Sequence, residues 1–139
     1  MNFSDQIRSK AGEIGFAKTG IVAASALDAE AGHFREWLAL GFQGEMAWLE
    51  RNVEKRSDPR VLFPGAKSIV VVAQNYYTGH KHVDKTDKGK ISRYAWGDDY
   101  HDVVHDKLKA LLAWIKEKDP SVDGKVCVDT APMMDKAWA

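Results

Sequence analysis

A layered α/β (α+β) fold, with a sheet covered by helices on both faces, is what this sequence of 139 residues predicts. Three observations predict it. Ile69, Val70, Val71 and Val72 run in succession within Ser68–Asn75, and an unbroken β-branched run belongs to a strand buried on both sides. The stretch Lys90–Ile115 ends in an amphipathic helix, where Val104, Leu108, Leu111 and Ile115 fall at i, i+4, i+7 and i+11, a single apolar stripe. Between such segments stand Asp58-Pro59, Phe63-Pro64-Gly65 and Asp119-Pro120, which punctuate the chain with turns. The length suits one domain over 1–139.

Composition narrows the function. Lys+Arg and Asp+Glu are 20 each, so no global field draws the protein to nucleic acid or membrane, and contact with either must come from a local patch. The apolar run Ile69–Ala73 is far too short to span a bilayer. The opening MNFSDQIRSK has no apolar stretch like that of a signal peptide. A soluble cytoplasmic monomer without a membrane partner is expected. The single cysteine, Cys127, excludes an internal disulfide framework and an all-cysteine metal site.

In chain order, Ser4 is expected to cap a first helix carrying Ile7 and Ala11 that ends near Gly12–Gly15. Phe16–Val22 reads as a strand. Asp28 opens a second helix through Ala31, Phe34 and Leu38, and Gly41 stops it. From Gly44 a short helix would carry Met46, Leu49 and Val53 on one face, with Met46 in the core. Arg51, Lys55, Arg56 and Arg60 make the most basic local segment, either a solvated helix end or a phosphate contact. Asn75, Tyr76 and Tyr77 follow the valine strand, where open α/β sheets tend to place ligands. Thr78–Lys90 is polar and reads as a loop. After the amphipathic helix, Lys125–Val128 is expected as a further strand, and Pro132 as the first turn of a closing helix.

The chemistry concentrates around Gly97. Arg93, Tyr94, Trp96, Asp98, Asp99, Tyr100 and His101 crowd aromatic and ionisable groups where the long helix begins. Asp98 or Asp99 can cap the helix, but a cap needs one acceptor; the surplus is either an aromatic turn or a pocket wall. His101-Asp102-Val103-Val104-His105 imitates a zinc-protease motif, yet Asp102 lacks the reach of the glutamate that the mechanism uses and no third ligand follows, so no metal site is assigned. Cys127 lies within an apolar strand, where a thiol is ordinarily inert. Asp129 ends that strand. Its position serves either a cap for the Pro132 helix or a general acid whose carboxyl, held near apolar surface, stays protonated to higher pH.

These motifs together resemble the N-terminal half of the epoxyqueuosine reductase family, cobalamin-dependent iron–sulfur enzymes of tRNA modification. The pieces that carry the resemblance are Gly44 to Arg51 (GEMAWLER), Asp58-Pro59-Arg60, Pro64 to Ser68 (PGAKS), Asn75-Tyr76, Arg93 to His101 (RYAWGDDYH) and Val128-Asp129-Thr130, in family order. The resemblance implies a fold related to cobalamin-processing and nitroreductase-like proteins. It implies reduction of the epoxide of epoxyqueuosine in a tRNA anticodon to the alkene of queuosine, with electrons from an unspecified donor passing through two 4Fe-4S clusters to cobalamin. It makes Asp129 the proton donor and gives Asn75, Tyr76, Arg93, Tyr94, Gly97, Asp99, Tyr100 and His101 to the cobalamin and substrate pocket. Trp48 stands where the family usually has tyrosine or phenylalanine, and Lys136 where arginine is common. Cys127 alone cannot hold either cluster, so the chain is expected to be the N-terminal domain of a longer parent, inactive by itself. The same residues also suit a corrinoid-binding domain of another iron–sulfur reductase, or a non-catalytic structural domain.

Overall fold

The computed structural model describes residues 2–139 and has an α+β fold: six α-helices and a two-stranded sheet among those residues. The chain divides into two compact units, one built from the residues up to Lys18 with Ala73–Val128, the other from Thr19–Val72 with Asp129–Ala139.

The first unit rests on two helices. Helix α1, Phe3–Ile14, is capped by Asn2, whose side chain accepts the Asp5 N–H at 2.9 Å. The cap is therefore Asn2 and not Ser4, which already lies within the first turn. Gly15 closes the helix with φ 100°, a left-handed conformation that glycine adopts without steric penalty. Helix α5, Tyr100–Lys118, is the predicted amphipathic helix and packs on α1. Ile7 and Ala11 of α1 and Leu111 and Ile115 of α5 are buried, with Leu111 only 2% exposed. Val104 and Leu108, the upper half of the stripe, are half-buried. Phe3 and Trp114 stack at 6.5 Å between ring centroids. The Lys107 ammonium lies 5.8 Å from the ring of buried Phe16 and donates to Gln74 Oε1 at 2.8 Å, so its charge stays solvated by an amide while its stem covers an apolar ring.

The sheet joins β1, Lys18–Ala23, and β2, Ser68–Ala73. Ala17 N–H donates to the Ala73 carbonyl and Ala24 N–H to the Lys67 carbonyl; the opposed numbering makes the pair antiparallel. Ile69–Val72 form the expected strand, but all four are half-buried and none is buried, so the strand is not covered on both faces as the unbroken apolar run predicted: it has a single partner, β1. The expected third strand, Lys125–Val128, does not form. A strand needs a ladder partner, and the sheet's order is β1-β2 only. Val126, Cys127 and Val128 are half-buried as side chains instead, and Asp129 with φ 50° turns the chain out of extended geometry.

The second unit holds four of the α-helices. Helix α2, Asp28–Ala39, buries Ala31. Gly41, at φ 71°, follows it. The helix expected from Gly44 onward is broken in two: a 3-10 turn at Ala47–Glu50 and then helix α3, Val53–Ser57. Asn52 separates them with φ 58°, which takes the backbone out of the right-handed helical region. Met46 is consequently exposed and not a core residue. Asp58-Pro59, expected as a turn, starts helix α4, Pro59–Leu62: Asp58 caps it by accepting the Arg60 N–H at 2.9 Å, and proline fits the first helical position. Helix α6 is Asp135–Trp138, so Pro132 precedes the closing helix and does not begin it. The Met134 N–H donates to the Arg56 carbonyl at 3.2 Å, and Trp138 is buried.

The α1–α5 contact should dominate the stability of the first unit. Leu111→Ala should cost about 2–5 kcal/mol, as for other fully buried leucines, and Leu108→Ala less because Leu108 keeps solvent contact. Urea denaturation of the two variants checks the order; equal losses would contradict it.

Candidate functional site

Two groups of predicted site residues are found, one in each unit. In the first unit the chain leaves β2 through Asn75, whose side chain accepts the Tyr77 N–H at 2.9 Å, an Asx turn that orients the two tyrosines. Tyr76 and Tyr77 are exposed. Arg93 is half-buried, its guanidinium carbon 5.7 Å from the Tyr77 ring centroid and 6.0 Å from that of Trp96. Trp96 donates its indole N–H to the Ile91 carbonyl at 3.0 Å, and His82 meets the indole edge-on at 4.9 Å. Arg93 is thus stacked between rings, the use for which a planar guanidinium is suited.

Gly97, at φ 84°, lets the chain turn into Asp98 and Asp99, since L side chains rarely adopt that conformation. Asp99 is the cap of α5. One carboxylate oxygen accepts the His101 N–H at 2.9 Å and lies 2.8 Å from His101 Nδ1. The His101 backbone N–H, and after it the imidazole, hold the Asp99 carboxyl below the usual carboxylate range. The His101 ring stacks on Tyr100 with centroids 4.1 Å apart, and Tyr94 packs edge-on against Tyr100 at 5.9 Å. Asp99 therefore caps the start of α5 and contacts the His101 ring with the same oxygen.

In the second unit Asp129 stands on the loop before α6. It is exposed, which removes the burial on which the sequence argument for a raised pKa depends. It lines a shallow pocket of about 300 Å³ with Trp48, Arg51, Asn52, Arg56, Thr130, Ala131 and Pro132. The Arg56 guanidinium carbon lies 5.4 Å from the Trp48 ring centroid. Arg60 is engaged elsewhere, in a two-point pair with Asp58 at 2.9 and 2.8 Å. Asp135 is the group whose carboxyl is raised, by desolvation first and then by the Asp129 charge. Arg56 comes from the basic segment that the sequence offered as a phosphate contact or a solvated helix end. Trp48 belongs to this site although residue spacing gave it no role; its only local signal was an aromatic residue just ahead of that basic run.

The chemistry available is a stack of aromatic, guanidinium and imidazole groups in one unit, and in the other a carboxylate in a pocket with two arginines. The family described as Epoxyqueuosine reductase QueG, DUF1730, matches residues 56–130, a span that contains the Arg93–His101 string and Asp129. An epoxyqueuosine reductase of Cellulophaga algicola is 43% identical over 136 residues, which are 98% of this chain and 44% of that relative. A solved epoxyqueuosine reductase from Bacillus subtilis, with its catalytic aspartate loop swung out of the active site, superposes with a TM-score of 0.82 at 30% identity, covering 97% of this chain and 36% of that one. Another, holding a tRNA-Tyr epoxyqueuosine-modified stem loop, gives 0.81 at 30% identity with 97% and 36% covered. The chain belongs to the epoxyqueuosine reductase QueG family. It spans about 44% of the length of the curated relative it matches.

The Asp99 cap makes a pH-dependent contribution whose sign is fixed. Its folded carboxyl titrates below the unfolded one, so the stabilisation is present above the unfolded value of about 3.9 and is lost as pH falls through the lower, folded value. Asp99→Ala should lower the melting temperature at pH 7, and the gap from the parent should shrink in acid. Thermal melts of both at neutral pH and near pH 2 test this; an unchanged gap would show that the carboxylate charge is not responsible.

Proposed function

We propose that this chain is the cobalamin- and substrate-side domain of an epoxyqueuosine reductase that acts on tRNA, and that Asp129 is its proton donor. The observation that carries the reading is the placement of Asp129: an exposed carboxyl in a left-handed backbone conformation, on a loop that lines a polar pocket. Residues held in sparsely populated backbone regions cluster at active sites. The family match supports the reaction class, the relative with a modified tRNA stem loop supports the substrate, and the relative named for a catalytic aspartate loop supports an aspartate on a loop as the reacting group.

Removing the epoxide oxygen as water takes two electrons and two protons and leaves the alkene. An alkoxide is a poor leaving group until it is protonated, so a carboxylic acid within ~2.6–3.2 Å of that oxygen would lower the barrier. Asp129 is suited to this step because the loop leaves it accessible. A second carboxylate, Asp135, is close enough to be raised by its charge.

Cobalamin, when bound, supplies low-potential reducing chemistry. The first unit fits such a group in one observable respect: Tyr76, Tyr77 and Tyr94 leave aromatic surface uncovered, at 64%, 73% and 52% exposure, and flat apolar surface of that kind suits a macrocycle face. Asn75, Tyr76, Arg93, Tyr94, Tyr100 and His101 would hold it, with Gly97 and Asp99 fixing the start of α5. The two iron–sulfur clusters need more thiolates than this chain has, since Cys127 is its one cysteine. They belong to the remainder of the longer enzyme.

In that cluster-containing enzyme, Asp129→Asn should preserve folding and cobalamin binding while lowering turnover by ~10²–10⁴-fold, the usual worth of a general acid. Single-turnover reduction of an epoxyqueuosine stem loop, with circular dichroism as the folding control, makes the measurement. Near-normal turnover by the folded variant would remove Asp129 from the mechanism, and loss of folding would assign it to capping.

A further inference from the structure

We propose that the pocket around Trp48 seats one nucleotide of a single-stranded RNA segment, Trp48 stacking on the base and Arg51 and Arg56 meeting the phosphate backbone. The inference rests on the RNA reading above and deepens it by naming residues for a neighbouring nucleotide, not the modified one. An isolated exposed aromatic is ordinary. Trp48 is not isolated: it is 56% exposed, carries Arg56 over its ring, and lines the same pocket as Arg51, Asn52 and Thr130. An indole with a cation on it and open surface beside it is a stacking platform for any base, since every base has a π-face.

The charges sort in the same sense. Of the basic run, Arg60 is taken by Asp58, which leaves Arg51 and Arg56 at the pocket. Arg56 is half-buried and leans on the indole, which fixes its guanidinium at the pocket edge. Asn52 reaches the pocket wall through its own left-handed backbone, and its amide can both donate and accept on a base edge. The pocket is shallow and about 300 Å³; its lining has one carboxylate, Asp129, against two guanidinium groups, with indole, amide and hydroxyl groups beside them, which suits a nucleotide more than an apolar peptide.

The test uses this 139-residue chain and a fluorescein-labelled, unmodified single-stranded RNA heptamer, read by anisotropy. Trp48→Leu should weaken binding ~10-fold or more, and Trp48→Phe should restore most of it, because stacking is worth that much per base. Arg51→Gln should flatten the plot of log K against log salt by ~0.7, one phosphate contact on a single strand. Uridine monophosphate should displace the oligomer at concentrations where inorganic phosphate does not. Variants are compared only after their melting curves match the parent. The subsite is overturned if folded Trp48→Leu binds RNA like the parent, if inorganic phosphate competes as well as the nucleotide, or if the heptamer does not bind at millimolar concentration. Because the heptamer carries no epoxide, the result is separate from the role of Asp129: turnover retained by Asp129→Asn would sink the acid and leave the subsite standing.

Discussion

The buried contact of Leu111 and Ile115 on α5 with Ile7 and Ala11 on α1 is what the first unit depends on. Two turns of apolar surface fix the axis of a helix, and a helix with a fixed axis has a fixed beginning. That beginning is Asp99. Its carboxylate accepts the His101 N–H and contacts the His101 ring with the same oxygen, so the start of a helix whose far half is packed in the core carries an imidazole at the surface. Aromatic neighbours extend the effect: Tyr100 carries His101, and Tyr94 abuts Tyr100.

The second unit is organised differently. Its helices are short, and its pocket is built where the backbone leaves the common regions, at Asn52 and Asp129. Both are short polar side chains, the types that tolerate a left-handed conformation with least strain. A carboxylate and two arginines then share one shallow, solvent-facing depression. The Asp135 carboxyl is raised by desolvation first, and the Asp129 charge adds to it.

How much was legible depended on whether the signal was local. The α5 stripe, the β2 valine run, the Gly15 and Gly41 stops and the Asp99 cap were readable because each is a pattern over a few residues with one physical meaning. The Lys125–Val128 strand misled for the opposite reason. Apolar alternation marks side chains that will be half-buried, and these are, but a strand also needs a partner edge, which no local pattern encodes. The break at Asn52 was hidden for a similar reason. Met46, Leu49 and Val53 keep helical spacing, and spacing does not report the φ of the residue between them.

By itself the sequence determined the character of the parts: a balanced charge, a single thiol, an aromatic cap on an amphipathic helix, and an aspartate after an apolar segment. It also held the motifs that place the chain in its family. Only the tertiary structure decided that Asp129 is exposed and not buried, that Arg60 is paired while Arg56 leans on Trp48, and that Trp48 and Asp129 line one pocket. The reason is separation along the chain. Residues 48 and 129 line one pocket in a unit where the Met134 N–H is bonded to the Arg56 carbonyl and Trp138 is buried, and a juxtaposition made across so long a loop is written in packing, not in periodicity.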